Sequence, residues 1–399
     1  MLTRLSGSKI EASSLAARNL EASSLALLGA FCLFLSAVEY MIPKPLPFMR
    51  IGFANLPLML GLCIFSLRSY LVLICIKIFG QALITGTLFS YIFLFSAAGT
   101  FSSALLMYLL FKLGKNNISF IGIGTAGAVI SNISQLALAY FFIFAENVRY
   151  IAVPFLAVGL VTGILLGVFC EMFVKKSQWL PFSSRQDAKT RSCNFESLSS
   201  DQVIKGRLLI YNNLFNARTL FVAGLLIIPA VLFNPSTEFR CYQFLFFCFL
   251  VLLTGKKTNF LLTIFITLSI IMFNLIIPYG RILFSIGSFK ITLGALEAGI
   301  HRAVTLQALV MLSKIIIRKD LFLPGAFGKL LGQSMFIFSE IMNRKYKITK
   351  KNIIMEIDNL LIELSEMRFE QPQIQKIKTK PIGYVILIFV IVFSWLPWI

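Results

Sequence analysis

The chain has 399 residues, of which 58% are hydrophobic, and its formal net charge at pH 7 is +20. In a soluble protein that charge would suggest a nucleic-acid partner, but apolar runs long enough to cross a bilayer recur along this chain. The basic residues lie mainly between those runs, as in cytoplasmic loops beside anionic lipid. We therefore predict an all-α polytopic protein of the cytoplasmic (inner) membrane, in contact with the lipid bilayer and without a nucleic-acid partner.

Cysteine and histidine usage argues against a metal centre. The seven cysteines are scattered without a CxxC pair, and the chain has one histidine. A structural zinc site needs four such ligands at short spacings. We expect neither a metal site nor a disulfide framework.

The first part of the chain predicts six membrane spans. A lead-in at residues 1–23 carries the sequence EASSLA at 11–16, which is repeated at 21–26. Apolar segments suited to spans follow at 24–41, 53–67, 70–90, 91–110, 120–145 and 153–174. Most flanking bases fall on the side of the N-terminus, so the positive-inside rule places that terminus in the cytoplasm. We expect a six-span domain at residues 24–174.

A proline-rich stretch, EYMIPKPLPFMRIGFANLP, lies between the first two spans. Proline disfavours helix in itself and in the preceding residue, so this stretch predicts a stiff, extended loop. Irregular backbone at membrane depth persists where it is buried in protein or lines a wet cavity. We interpret Glu39, Lys44, Arg50 and Asn55 as one wall of a solute site; a plain interfacial connector is the alternative.

Polar side chains inside two spans recur at helical spacing. Lys77, Gln81 and Thr85 lie four residues apart and share one helix face, and Asn132 and Gln135 share another. A lysine near mid-membrane costs about 2.5–3.5 kcal/mol on insertion scales, so it usually faces the bundle interior or a pathway. We predict that these five residues bind the solute. Interhelical hydrogen bonds that only hold helices together are the alternative.

Two glycine patterns have different explanations. GxGxxG at 122–127 follows no predicted strand and lies in an apolar helix, so it does not indicate a dinucleotide site. Gly159, Gly163 and Gly167 are four residues apart, which is typical of close helix packing in membranes.

A polar, serine-rich linker at residues 175–218 separates a second membrane domain at 219–399. Shorter apolar runs follow at 220–233, 241–253, 260–277, 291–312 and, at the end of the chain, 382–398. These bring the predicted total to about eleven spans.

Residues 313–380 contain no predicted span but two amphipathic helices. Their apolar stripes are Phe327, Leu331, Met335, Phe338 and Met342 in the first, and Ile353, Ile357, Leu360, Leu361, Leu364 and Met367 in the second. Such helices lie along a membrane surface or dock a partner. We expect both on the cytoplasmic membrane surface.

Four motifs of the first domain, in order, resemble one family. They are EYMIP at 39–43, GFAN at 52–55, GQALITGT at 80–87 and GAVISNISQ at 127–135. These resemble the Gx transporter family, whose members are often labelled heptaprenyl diphosphate synthase component I. That family is similar to the six-helix, substrate-binding S components of energy-coupling factor transporters. The resemblance implies a small-molecule solute.

The second domain resembles, more weakly, the T component of the same transporters. The likeness rests on GSFKITLGALEAGI at 287–300, the two amphipathic helices and the last span. It implies coupling through the amphipathic helices to separate ATPase subunits, where ATP would be hydrolysed, and no cofactor in this chain. Arg344 and Arg368 are the nearest matches to the coupling arginines, although their flanking residues depart from the family pattern.

Motif absences argue against catalysis by this chain. Its four aspartates, Asp187, Asp201, Asp320 and Asp358, do not form the paired motifs that hold magnesium against a prenyl diphosphate, and it has no GxxxxGK[ST] phosphate loop. The first hypothesis is a subunit of an energy-coupling-factor-like importer of a small, anionic solute. The second is a non-catalytic membrane component of heptaprenyl diphosphate synthase in menaquinone biosynthesis. The third is a partner-free secondary transporter.

Overall fold

The computed structural model describes residues 2–41, 52–114, 117–180, 211, 214–256, 258–286, 289–318, 321, 325–343, 353–366 and 379–398. The first block of helices comprises α1 (Leu2–Met41), a 3₁₀ turn (Phe53–Asn55), α2 (Leu56–Ile64), α3 (Leu67–Thr85), α4 (Tyr91–Gly114), α5 (Phe120–Ala139) and α6 (Val148–Lys176). The repeated lead-in is part of α1, which continues without a break into the first predicted span. Gly86, at φ +68°, ends α3 in the left-handed conformation that glycine adopts at low cost.

The second block comprises α7 (Ala217–Leu232), α8 (Thr237–Thr254), α9 (Phe260–Asn274), β1 (Ile282–Ile286), β2 (Phe289–Thr292), α10 (Leu293–Ile316), α11 (Gly325–Asn343), α12 (Ile353–Glu366) and α13 (Pro381–Trp395). The side chains of Asn216, Ser236 and Asn259 accept backbone N–H groups at the starts of α7, α8 and α9. The strands form one antiparallel hairpin, which the sequence did not predict.

The predicted architecture is confirmed: the chain is an all-α polytopic membrane protein. Seven runs of the described residues are long and apolar enough to span a membrane, and one of them, Phe120–Lys176, contains both α5 and α6. Three shorter apolar runs, Phe53–Ile64, Ala217–Leu232 and Phe260–Asn274, correspond to three more predicted segments. Every predicted span therefore corresponds to a helix, but these three are shorter than the roughly 20 residues a perpendicular span needs.

Glycines bring α5 and α6 into close contact. A Cβ at Gly163 would lie 2.9 Å from Thr125 Cα and 3.1 Å from the carbonyl oxygen of Gly124. A Cβ at Gly167 would lie 2.5 Å from Ile121 Cα. Because a side chain at either position would push the helices apart, the predicted small-residue packing is confirmed.

The turn from α5 to α6 is held by residues of the second block. A π-helical turn (Tyr140–Phe144) leads to Ala145, whose φ of +46° is uncommon for a residue other than glycine. Asn274 donates to the carbonyl oxygen of Ile143 at 3.2 Å, and Asn147 donates to that of Phe273 at 2.8 Å. The first bond satisfies a carbonyl group of the irregular turn and the second a carbonyl group at the end of α9, and both join the two blocks.

The hydrophobic core is continuous across the two blocks. Ile337 and Leu361 of the second block lie in one buried cluster with Leu28 of the first, and Ile76 of α3 lies in another with Phe247 of α8. The helices α6 and α7 bracket the predicted linker, since α6 ends at Lys176 and α7 begins at Ala217. The domain boundary itself stays a prediction.

The amphipathic helices form as predicted, but both pack on the first block. Helix α11 lies against α1 and α3, and α12 lies against α1 and α6. The buried face of α11 is Leu331, Ser334, Ile337 and Ile341, whereas Met342 of the predicted stripe is 48% exposed. Of the predicted stripe, Leu331 is buried and Phe327, Met335 and Phe338 are partly buried, so most of the stripe packs on protein while its last residue stays exposed.

Candidate functional site

A polar cavity lies inside the first block. Its lining includes two charged side chains, Glu39 and Lys77, and five uncharged polar ones, Asn55, Thr100, Ser131, Asn132 and Thr162. It encloses about 30 Å³, which is room for water but far below the roughly 300–1,000 Å³ of typical small-molecule sites. A larger solute therefore enters only if the lining moves.

Glu39 reaches the cavity from the end of α1. Its side chain is 5% exposed, and Oε2 accepts a hydrogen bond from the backbone N–H of Gly52 at 3.2 Å. Gly52 has a φ of +94°, a conformation that side chains rarely adopt, and it begins the 3₁₀ turn that carries Asn55. The glycine of the GFAN motif thus brings backbone and carboxylate together.

Lys77 enters the cavity from α3. Its side chain is 2% exposed, and Nζ donates to Asn55 Oδ1 at 2.5 Å. Burying an ammonium costs free energy unless it is hydrogen-bonded or paired with an anion. A lysine at this position would therefore destabilise a helix that served only for packing. The chemistry it offers is recognition of an acceptor or an anion.

Asn132 lines the cavity from α5. Its Nδ2 donates to the carbonyl oxygen of Phe155 at 2.8 Å, and the amide lies so close to Gly159 that no Cβ would fit there. The close α5–α6 packing therefore fixes the orientation of the amide. The Oδ1 atom of the same amide is a hydrogen-bond acceptor, so it suits a donor group of a solute.

Three predicted residues lie elsewhere. Gln81 and Thr85 are one and two turns beyond Lys77, and Thr85 Oγ1 donates to the carbonyl oxygen of Gln81 and bonds Thr87 Oγ1, both at 2.8 Å. Gln135 is buried, and its Nε2 donates to Ser131 Oγ at 3.1 Å. A four-residue step moves a side chain about 6 Å along the axis, and a three-residue step rotates it about 60° from its predecessor. Sharing a helix face was therefore not enough to reach one cavity.

Sequence reasoning missed three hydroxyls of the lining. Ser131 precedes Asn132, and Thr162 follows Gly159 by three residues and donates to its carbonyl oxygen at 3.1 Å. Both could have been found by extending the polar and glycine faces already noted. Thr100 had no such signal, because nothing in the pattern of α4 distinguishes it from other small residues.

Four predicted functional residues, Lys44, Arg50, Arg344 and Arg368, lie outside the described residues. Within the described part of the chain, no three histidine, cysteine, aspartate or glutamate side chains are grouped as metal ligands would be.

Helix α11 packs on the two helices that carry Glu39 and Lys77. A Cβ at Gly29 of α1 would lie 2.7 Å from Ser334 Oγ, and a Cβ at Gly80 of α3 would lie 3.2 Å from Leu331 Cδ1. These glycines therefore let α11 approach both helices closely.

Helix α12 is attached to the end of α6. The Asp358 carboxylate is 5% exposed and accepts the backbone N–H groups of Gln178 at 2.8 Å and Trp179 at 3.2 Å. Ser177 Oγ also bonds to this carboxylate. Such charge-assisted bonds are stronger than neutral ones, so α12 is firmly anchored to the first block.

Comparison with known proteins gives two matches. Residues 28–173 match the family model described as heptaprenyl diphosphate synthase component I. Residues 217–319 match a domain of unknown function, DUF8519. Searches of curated proteins and of solved structures found no match. The first match begins within α1 and ends near the end of α6, and it includes every residue that lines the cavity.

Proposed function

We propose that the chain is the membrane subunit of an energy-coupling-factor-like importer in the cytoplasmic membrane. The first block binds a small anionic solute, and the second block couples that site to separate ATPase subunits. The observation that carries the proposal is the buried Lys77 in a polar cavity whose supporting helices also seat α11.

The cavity supports binding of a solute with two kinds of group. The Lys77 ammonium suits a carboxylate or phosphate oxygen, while the Glu39 carboxylate suits a hydroxyl or amine donor. Their burial strengthens both interactions relative to water. The solute is therefore a small polar molecule with an anionic group rather than a lipid.

The inter-block contacts support coupling. Because α11 contacts α1 and α3 while α12 is bonded to the end of α6, a force on these two helices reaches three helices of the cavity. An ATPase that moved α11 and α12 would widen or close the cavity. The cavity volume of about 30 Å³ agrees with a binding site that opens for its solute only part of the time.

Co-purification tests the proposal. The tagged full-length chain, extracted from its native membrane in mild detergent, should bring down ATPase subunits identified by mass spectrometry. Recovery of a soluble prenyltransferase without an ATPase would refute the importer and support the alternative.

That alternative is a non-catalytic membrane component of heptaprenyl diphosphate synthase. The family description matched by residues 28–173 favours it. It requires a partner synthase subunit, because the dispersed aspartates of this chain do not form the paired motifs that hold magnesium for catalysis on a prenyl diphosphate. A partner-free secondary transporter would recover neither class of protein.

A further inference from the structure

A second cavity lies between α7, α8, α10 and α13. It encloses about 320 Å³, and its lining is almost entirely apolar, with Ala223, Leu253, Leu312 and Ile386 contributed by the four helices in turn. That volume lies within the range of roughly 300–1,000 Å³ of small-molecule sites. It is separate from the polar cavity and shares none of its lining residues.

The cavity opens toward the side of the helix bundle. The rings of Phe246 on α8 and Phe393 on α13 lie 4.4 Å apart and close the gap between these helices at one end. Toward the other end, Leu253 and Ile386 line the cavity and are 52% and 37% exposed. In a membrane this opening faces hydrocarbon, so a lipid chain can enter sideways.

Basic residues surround that end of the cavity. Lys256 follows α8 and donates to the carbonyl oxygen of Ile317 after α10 at 2.7 Å. The backbone N–H of Lys380, before α13, donates at 3.0 Å to the carbonyl oxygen of Leu214, which lines the cavity. The same helix ends carry Arg218, Lys314 and Arg318. The acids of these four helices lie toward the opposite end: Glu238 is in the first turn of α8, and Glu297 is the fifth residue of α10.

Tyr211 joins the apolar cavity to its basic end. Its ring lines the cavity, with Lys256 Nζ at 5.3 Å and the Arg318 guanidinium at 5.9 Å from the ring centroid. Arg318 also donates to the carbonyl oxygen of Phe215 at 2.6 Å. The two cations are thus held in place at the level where a headgroup would lie.

We propose that this cavity binds one hydrocarbon chain of an amphiphile whose phosphate headgroup contacts the basic helix ends. Basic pockets between membrane helices bind anionic lipid headgroups in this way. The two sources of that chemistry are an anionic phospholipid and a prenyl diphosphate. The site is independent of the importer, since it uses neither the polar cavity nor an ATPase.

Lipid retention tests the site in the full-length chain. The protein is reconstituted in nanodiscs of phosphatidylglycerol and phosphatidylcholine in equal parts, extracted in mild detergent and analysed by native mass spectrometry. Phosphatidylglycerol should be retained in preference to phosphatidylcholine. Equal retention of both lipids, or no retained lipid, would overturn the proposal.

Matched variants separate the cavity from general lipid contact. Ile386 lines the cavity, so Ile386→Trp fills it. Ile388 on the same helix is 59% exposed and lies outside the cavity, so Ile388→Trp is the matched control. Excluding about two methylenes is enough for a tenfold loss of affinity, so Ile386→Trp should lower retention at least about tenfold while Ile388→Trp leaves it unchanged. Equal retention by the two variants would contradict the site.

Charge reversal tests the headgroup contact without filling the cavity. Lys314→Glu combined with Lys380→Glu should remove the preference for phosphatidylglycerol, while Lys290→Glu, exposed on β2 at the other end, should keep it. A preference unchanged in the double variant would refute the basic contact. In a parallel experiment, farnesyl diphosphate is added to the protein that carries phosphatidylglycerol. Displacement of the phosphatidylglycerol assigns the site to a prenyl diphosphate, whereas its retention assigns the site to the phospholipid.

Discussion

Replacing Lys77 by methionine removes the ammonium from the polar cavity and keeps a flexible chain of similar length. The variant loses the Nζ bond to Asn55 Oδ1 and any bond to an anionic solute. A hydrogen bond to a charged group contributes about 1.5–3 kcal/mol, so solute affinity should fall by roughly 10- to 150-fold. Membrane insertion should not suffer, because a mid-membrane lysine costs about 2.5–3.5 kcal/mol and methionine does not.

The assay compares uptake and expression in the same cells. At solute concentrations near the wild-type dissociation constant, that loss of affinity should reduce uptake by Lys77→Met to about 1–20% of the wild-type value, with nearly normal amounts of protein in the membrane. Lys112→Met is the matched control, since Lys112 is exposed in the last turn of α4 and should transport as the wild type does. Wild-type uptake by Lys77→Met would refute the assignment of the cavity to solute binding.

Three further predictions concern the contacts between the blocks. Gly29→Leu should displace α11 and reduce uptake, because its Cβ would lie 2.7 Å from both Ser334 Oγ and Ile76 Cγ2. Gly122→Ala, with its nearest neighbour at 3.4 Å, should transport as the wild type does, and wild-type uptake by Gly29→Leu would contradict the proposed role of the α11 contact. Asp358→Ala should lower the free energy of local opening at residues 177–180 by about 1–3 kcal/mol, measured by hydrogen exchange, and unchanged protection would show that α12 is not anchored there. Arg344→Ala and Arg368→Ala, alone or together, should stop transport without weakening solute binding, because arginines at protein interfaces are often hot spots; normal transport would favour the partner-free transporter.

Span positions were predictable because length and hydropathy dominate helix formation in a bilayer. Every predicted segment from 24–41 to 382–398 corresponds to a helix. The hairpin at Ile282–Thr292 was not predictable, since two short apolar strands have no periodicity that separates them from the start of a span. The contacts of α11 were also missed, because an apolar stripe does not reveal whether it faces lipid or protein.

The site was predictable only in part. Glu39, Asn55, Lys77 and Asn132 do line one cavity, since buried charges and amides in apolar helices face the bundle interior. Gln81, Thr85 and Gln135 do not, because helical spacing sets direction but not depth along the axis. The depth of Gln135 relative to the cavity depends on how α5 and α6 pack through their glycines, and the sequence of one helix does not specify that packing.

Small molecules retained by the purified full-length chain test the central claim most directly. Denaturing the wild-type protein should release a small solute with an anionic group, which mass spectrometry identifies. The same solute should be absent from Lys77→Met and present in Lys112→Met. Release of no solute from the wild type, or of the same solute from all three proteins, would contradict binding in the polar cavity.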